Sequence, residues 1–259
     1  MRPNRESSKW FGNRDDEGSI MRLFCIPHAG GDAQSFLDWD RETQSQISVR
    51  PVHLPGRGRR YIEPAYTCME ELIEGLICAI EPMLDKPFAL FGHSMGALVA
   101  FELTRALRRQ FGIEPEWLFV SSYRAPHVAT GDEPIYALPD GAFIDAVKSY
   151  NGLPRELLDN SELMDLVLPT LRADFEICDT YSCVDDVPLK SPIGAFGGLY
   201  DPKVKFDLLS AWCDHTCSEF TVSLLEGDHF YHQIHKRPLL RRIGVLLEQT
   251  LSGVVSPWR

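Results

Sequence analysis

Six short apolar runs recur along the chain, and segments with helical periodicity separate most of them. The runs span residues 22–26, 49–53, 88–91, 117–121, 193–197 and 221–225. Several of them are apolar without interruption, as expected of strands that are buried on both faces of a sheet. The alternation of strands and helices predicts the α/β class, with a mostly parallel central sheet that helices cover on both faces.

Three helices are clear, two between these runs and one after the last run. The first has one apolar face, formed by Leu72, Ile73, Leu76, Ile77 and Ile80. Thr67 and Glu70 precede that face with the spacing of a capping box, which predicts the start of the helix. Residues 95–110 predict a buried helix that stops at Gly112, and residues 238–251 predict a last helix.

One stretch, residues 130–190, has no convincing strand. Residues 142–150 and 161–168 are helical in pattern, and the breaks around them are Pro139, Gly152, Pro154 and Pro169. The stretch predicts a helical lid inserted into a single domain over residues 20–259. Residues 1–19 are expected to form a flexible extension in which Trp10 and Phe11 pack back on the body.

Charge narrows the possible partners. The 259 residues carry a formal net charge of −11, so the chain is expected to bind neither nucleic acid nor anionic membranes. Residues 130–190 hold 13 acidic and 4 basic side chains, a net −9, which leaves −2 for the remainder. The acidity therefore belongs mainly to the predicted lid.

Cysteine content points to a reducing compartment. The seven cysteines are odd in number and scattered, so free thiols in the cytoplasm are expected. Cys213 and Cys217 flank His215, but no second ligand pair with zinc spacing accompanies them, and no metal site is predicted. No apolar run approaches the ~18 residues of a membrane helix.

A candidate nucleophile follows the third run. Gly92-His93-Ser94-Met95-Gly96 matches G-x-S-x-G between an apolar strand and a strong helix, which is the context that the motif requires. Small residues at both ends let neighbouring backbone pass close to a sharp turn. The alternatives are an inert serine in a glycine-rich turn and the phosphopantetheine attachment serine of a carrier protein.

A base and an acid follow the last two runs. Asp201 comes 107 residues after Ser94, and His229 comes 28 residues after Asp201, each just beyond a strand. Parallel strands would gather all three at one edge of the sheet. There Ser94 would attack, His229 would move the proton, and Asp201 would orient the imidazole. Other candidates are Asp207, Asp214 and Asp228 for the acid, and His232 and His235 for the base.

An oxyanion hole needs two backbone N–H groups. Met95 follows the nucleophile and supplies one. The second is expected from the loop after the first strand, Pro27-His28-Ala29-Gly30-Gly31, with Ala29 as the donor. A plain Gly-Gly turn is the alternative reading of this loop.

The motifs described above, together with further segments, match the pattern of a known enzyme family. The 27–31 loop, Leu54-Pro55-Gly56-Arg57-Gly58, the 92–96 motif, residues 168–175, Asp201-Pro202 and Gly227-Asp228-His229-Phe230 occur in this order. The set resembles the type II thioesterases that accompany polyketide synthases and nonribosomal peptide synthetases. It departs from them at Asp228, where the family more often has glycine.

The resemblance implies an α/β-hydrolase fold and a free-standing, monomeric enzyme without a cofactor. Such an enzyme removes aberrant or stalled acyl groups from the phosphopantetheine arm of carrier domains, and its lid shapes the acyl pocket. Two basic groups are candidates for carrier docking: Arg57, Arg59 and Arg60, or Arg237, Arg241 and Arg242. A carboxylesterase or lipase acting on small esters, and a non-catalytic scaffold that binds acyl groups, are the alternatives.

Overall fold

The computed structural model describes residues 5–13, 16–43, 46–129, 131, 133–150, 153 and 155–252. The strands within these ranges are β1 (Met21–Ile26), β2 (Ile47–Pro51), β3 (Phe88–His93), β4 (Leu118–Ser121), β5 (Ile193–Gly198) and β6 (Phe220–Leu225). They form one sheet in the order β2-β1-β3-β4-β5-β6, and every neighbouring pair is parallel. The predicted α/β class with a mostly parallel sheet is confirmed.

The sheet is buried on both faces, as the unbroken apolar runs predict. In β1, Phe24 and Ile26 belong to one core cluster, whereas Leu23 and Cys25 belong to the cluster on the opposite face. Successive side chains of a strand point to opposite faces, so a strand covered twice needs apolar residues at every position.

Helices cover both faces of this sheet. They are α1 (Arg5–Phe11), α2 (Met69–Ile80), α3 (Met95–Phe111), α4 (Asp140–Lys148), α5 (Arg155–Leu158), α6 (Ser161–Thr180), α7 (Phe206–Ser210), α8 (Tyr231–Ile234) and α9 (Lys236–Leu251). Apolar residues of α1, α2 and α3 pack in the first cluster, and those of α9 pack in the second. The predicted end of α3 is confirmed, because Gly112 caps it in the left-handed conformation with φ of +70°.

Two helix boundaries differ from the prediction. The predicted capping box is wrong, because Cys68 and not Thr67 is the N-cap of α2, and its side chain does not cap the helix. Its thiol instead donates to Glu70 Oε2 at 2.8 Å. Helix α6 does not end before Pro169 but continues to Thr180. Pro169 has no N–H to donate to the carbonyl of Asp165, but Asp165 is exposed, so water can replace that hydrogen bond. Beyond the proline, buried Leu171 and Ile177 hold the helix on the body.

Helices α4 to α6 lie between β4 and β5, in the region of the predicted lid. Their apolar side chains form a separate small cluster of Phe143, Val147, Leu168 and Leu171. The predicted boundary Thr130 and the breaks at Gly152 and Pro154 lie outside the described residues. Across the described ranges, no helix is both long and apolar enough to cross a bilayer.

The segment predicted as a flexible extension contains α1. Trp10 and Phe11 are buried, at 1% and 2% exposure, and the Ser7 hydroxyl donates to Ala79 O at 2.6 Å. Both aromatic side chains pack on the body, as the sequence suggests.

Candidate active site

The carboxyl ends of four strands of the sheet carry the candidate residues. Ala29 follows β1, Ser94 follows β3, Asp201 follows β5 and His229 follows β6. Because every strand is parallel to its neighbours, all these ends meet at the same edge of the sheet. The parallel order thus joins residues that are up to 200 positions apart in sequence.

Ser94 lies on a strained turn between β3 and α3. Its φ of 53° and ψ of −123° are unusual for a residue with a side chain, and its N–H donates to Ser121 O at 2.7 Å. A methyl group on Gly92 would lie 1.9 Å from Gly96 O, and one on Gly96 would lie 2.2 Å from Ile26 O. Only glycine fits at both ends, so the G-x-S-x-G spacing follows from the close approach of the backbone.

Asp201 and His229 form a buried pair. His229 Nδ1 lies 2.8 Å from Asp201 Oδ2, and the two residues are 2% and 1% exposed. The other carboxylate oxygen accepts the N–H groups of Lys203 and Val204 at 2.8 and 3.1 Å. Burial by itself raises the pKa of Asp201, but these hydrogen bonds and the His229 ring outweigh it, so the pKa lies below its ordinary value. The carboxylate therefore stays ionised and fixes the ring with Nε2 free.

A cavity of about 420 Å³ lies beside the nucleophile candidate and the base candidate. Ser94 and His229 both line it, and lid residues such as Val147, Leu171 and Phe175 close the opposite side. Among the described residues no hydrogen bond joins the Ser94 hydroxyl to the His229 ring. Such bonds are commonly long without substrate and shorten when it binds.

The two residues expected to supply the oxyanion-hole N–H groups line the same cavity. Met95 and Ala29 both line it, and within the described part of the chain neither N–H has a hydrogen-bond partner. Met95 is also the first residue of α3, so its N–H lies at the positive end of a 17-residue helix. The two groups are available to an oxygen that gains negative charge.

Known proteins resemble this chain over most of its length. A family model described as "Thioesterase domain" matches residues 21–245. The linear gramicidin dehydrogenase LgrE of Brevibacillus parabrevis is 42% identical over 234 residues, which cover 89% of each chain. Despite that relative's name, the present chain carries G-x-S-x-G and no G-x-G-x-x-G turn for a dinucleotide.

Solved structures agree with the family model. The RedJ thioesterase of the prodiginine pathway of Streptomyces coelicolor superimposes with a TM-score of 0.84 at 36% identity, over 90% of this chain and 87% of that one. The type II thioesterase BorB of the borrelidin cluster gives 0.83 at 32% identity, over 94% and 100%.

The chain belongs to the thioesterase family. It is a hydrolase and is grouped with the type II thioesterases of polyketide and nonribosomal peptide biosynthesis. The α/β-hydrolase fold that the resemblance implies is confirmed.

The other acid and base candidates of the thioesterase lie elsewhere. Asp207 is in α7, Asp214 contacts His127 at 3.5 Å, and Asp228 Oδ1 accepts the N–H of Phe230 at 2.9 Å. His235 is partly exposed at the start of α9.

His232, the remaining base candidate, is buried in a group of imidazoles behind the active site. It is 1% exposed, its ring centroid lies 3.8 Å from that of His93, and both of its nitrogens lack a partner in the described residues. Burial, together with neighbouring histidines, places the pKa of His93 and of His232 well below the ordinary value and lowers that of His28 to about 3. These rings stay neutral.

The sequence reasoning about the thioesterase missed Ser122. This buried residue has φ of +47°, and its hydroxyl donates to His229 O at 3.3 Å, so it supports the backbone of the candidate base. Its place directly after β4, at the same strand edge as the other site residues, is the signal that could have identified it.

The arginines of the first basic group predicted for carrier docking bind other residues of the thioesterase itself. Arg57 pairs with Asp174, Arg60 pairs with Glu63 at 2.6 Å, and Arg59 donates to backbone carbonyls of α1. Arg57 and Arg60 have side chains that are 9% and 6% exposed. They are therefore committed to internal contacts and do not form an open basic surface, whereas Arg241 and Arg242 are exposed.

Proposed function

We propose that the thioesterase hydrolyses acyl groups from the phosphopantetheine arm of carrier domains and so clears stalled or aberrant units from a polyketide or nonribosomal peptide synthase. Ser94, His229 and Asp201 form the triad. The observation that carries the proposal is the buried His229–Asp201 pair, 2.8 Å apart, beside a cavity that Ser94 also lines. The family and its relatives supply the substrate class.

In the first half of the reaction, Ser94 Oγ attacks the thioester carbonyl carbon while His229 Nε2 takes the hydroxyl proton. The carbonyl oxygen becomes an oxyanion and accepts hydrogen bonds from the N–H groups of Met95 and Ala29. The C–S bond then breaks, the pantetheine sulfur receives the proton from His229, and the acyl group remains on Ser94 as an ester.

In the second half, water attacks the ester with His229 as its base. The tetrahedral intermediate collapses, the proton returns to Ser94, and a carboxylic acid leaves. Asp201 stays ionised throughout and stabilises the imidazolium form of His229 in both halves. No cofactor takes part in this sequence.

Apolar lid residues support binding of an acyl chain. Val147, Leu153, Leu171 and Phe175 line the cavity, as Ser94 and His229 do. A volume of about 420 Å³ lies within the range of pockets that enclose small organic ligands. The seven free cysteines support a reducing compartment, and we propose the cytoplasm.

Turnover of an acyl-carrier thioester, compared with a simple oxygen ester of the same acyl group, tests the proposal. Ser94→Ala is expected to abolish turnover and labelling by a fluorophosphonate. Asp201→Asn is expected to lower kcat by about 10⁴-fold because the imidazole takes the wrong tautomer. Ser218→Ala, at an exposed site, is the control and should behave as wild type.

Undiminished turnover by Ser94→Ala would overturn the proposed nucleophile. A strong preference of the wild type for the oxygen ester would favour the carboxylesterase alternative. Wild-type protein that neither hydrolyses a substrate nor reacts with the fluorophosphonate would favour the scaffold.

A further inference from the structure

A buried ion pair joins the lid helix α6 to the core loops beneath it. Arg57 and Asp174 are 117 residues apart, and both terminal nitrogens of the guanidinium contact the carboxylate, with Nη2 at 2.7 Å from Oδ1. The side chain of Asp174 is 2% exposed, and Arg57 also donates from Nε to Pro55 O at 3.1 Å. The contact is two-pronged and almost free of solvent, which fixes the position of the carboxylate.

The same carboxylate holds the loop that follows β1. Gly30 N–H donates to Asp174 Oδ2 at 2.6 Å, and Gly31 N–H donates to His28 O at 2.8 Å. Because Gly30 has φ of +72° and Ala29 does not have a positive φ, residues 28–31 form a type II turn. Asp174 therefore binds the central peptide of that turn, the one joining Ala29 to Gly30. This planar unit includes Cα and the carbonyl of Ala29, whereas the Ala29 N–H belongs to the preceding peptide, whose carbonyl is that of His28. The Gly31 N–H bond to His28 O holds that preceding peptide in the same turn, so Asp174 acts on the Ala29 N–H through the turn.

We propose that Asp174, held by Arg57, is a positioning residue for the oxyanion hole. Through Gly30 it sets the direction of the Ala29 N–H, so the hole is complete only while α6 is packed on the core. The inference rests on the proposed function, because it takes the Ala29 N–H as a donor to the substrate oxygen.

Two further contacts hold α6 at this place without reaching the oxyanion turn through a polar bond. Thr170 Oγ1 donates to Gly56 O at 2.8 Å. Leu171 covers the turn so closely that a methyl group on Gly30 would lie 2.8 Å from Leu171 Cδ1. Thr170→Val therefore weakens the attachment of the lid but leaves the Gly30 hydrogen bond in place, which makes it a matched control.

Two double variants separate positioning from folding. Replacing a buried ion pair by apolar residues of similar size is often neutral for stability, whereas removing one partner leaves an uncompensated charge. Arg57→Met is therefore combined with Asp174→Leu in one protein and with Asp174→Asn in the other. Both lack the ion pair, but only asparagine retains an acceptor for the Gly30 N–H.

Two ligands distinguish binding in the oxyanion hole from binding in the acyl pocket. An acyl-pantetheine analogue with CF2 in place of the thioester sulfur is an activated ketone. Ser94 Oγ adds to its carbonyl carbon, the hydroxyl proton passes to His229, and the former carbonyl oxygen becomes an oxyanion. The matching thioether, with a methylene in place of the carbonyl, binds the same pocket but cannot form the adduct. Fluorine NMR measures the adduct, and calorimetry measures the affinity for both ligands.

The Asp174→Leu double variant is expected to lose about 10- to 100-fold in affinity for the ketone, as for a misplaced oxyanion donor. Its affinity for the thioether should stay as in wild type. The Asp174→Asn double variant should recover most of the loss, and Thr170→Val should keep the wild-type ratio of the two affinities.

Equal losses for both ligands, no loss for the ketone, or an asparagine form no better than the leucine form would overturn the inference. If the leucine form does not fold, Arg57→Lys replaces it, because lysine keeps the charge but not the two-pronged contact. A ketone affinity equal to wild type in Arg57→Lys would then contradict the inference. Failure of the proposed function would instead appear as wild-type protein that forms the adduct but does not hydrolyse acyl-pantetheine thioesters.

Discussion

The buried histidine His232 should make the thioesterase less stable below a pH of about 6.5. Its pKa is lowered by burial first and by His28 and His229 second, so it stays neutral in the folded protein at mildly acidic pH. In the unfolded chain it titrates near its ordinary value of 6.5. Below that pH the unfolded chain binds a proton that the folded protein does not bind, and the folded state loses stability as the pH falls.

The size of the effect follows from this difference in proton binding. A histidine that stays neutral when folded and has a pKa of 6.5 when unfolded loses about 1 kcal/mol of stabilisation between pH 6.5 and 5.5. His232→Leu replaces the ring by an apolar side chain and removes two buried nitrogens that lack partners in the described residues. The variant should therefore gain about 1 kcal/mol over wild type when the pH is lowered from 6.5 to 5.5.

Urea unfolding at pH 7.5, 6.5 and 5.5 measures this difference, because the other titrating groups cancel between the two proteins. His235→Gln is the control, since His235 is partly exposed and lies outside the buried group. Its stability should follow wild type at all three values. Parallel stability curves for His232→Leu and wild type, or a wild type that loses no stability at pH 5.5, would refute the reasoning.

Two further predictions concern the turn at Ser94 and the carrier partner. Gly96→Ala should cost about 3 kcal/mol or more and prevent fluorophosphonate labelling, because the methyl group would lie 2.2 Å from Ile26 O. Gly112→Ala, at φ of +70° with no atom within 4 Å, should cost only about 1–2 kcal/mol in urea unfolding, and equal costs would contradict the argument. Reversing the exposed Arg241 and Arg242 to glutamate should raise KM for an acyl-carrier substrate at low salt but not for acyl-pantetheine, if α9 contacts an acidic carrier. Equal KM values would remove α9 as a docking site.

Local chemistry explains why most strands and helices could be predicted. The strands of the central sheet are buried on both faces, which leaves a continuous apolar run in the sequence. Gly112 ends α3 because glycine adopts the left-handed conformation without a steric penalty. The prediction for α6 was wrong at Pro169 because contacts distant in sequence, such as Thr170 with Gly56, hold the helix together across the proline.

The sequence by itself determined the nucleophile motif, the order of the site residues and the strand ends on which they lie, because parallel strands must present their carboxyl ends at one edge. Only the tertiary structure decided which partners the charged residues have. Arg57, predicted as part of a docking surface, is buried against Asp174, and Asp174 in turn binds the Gly30 N–H. Pairing over 117 and 144 residues depends on how α6 packs on the core, and no local pattern of residues specifies that packing.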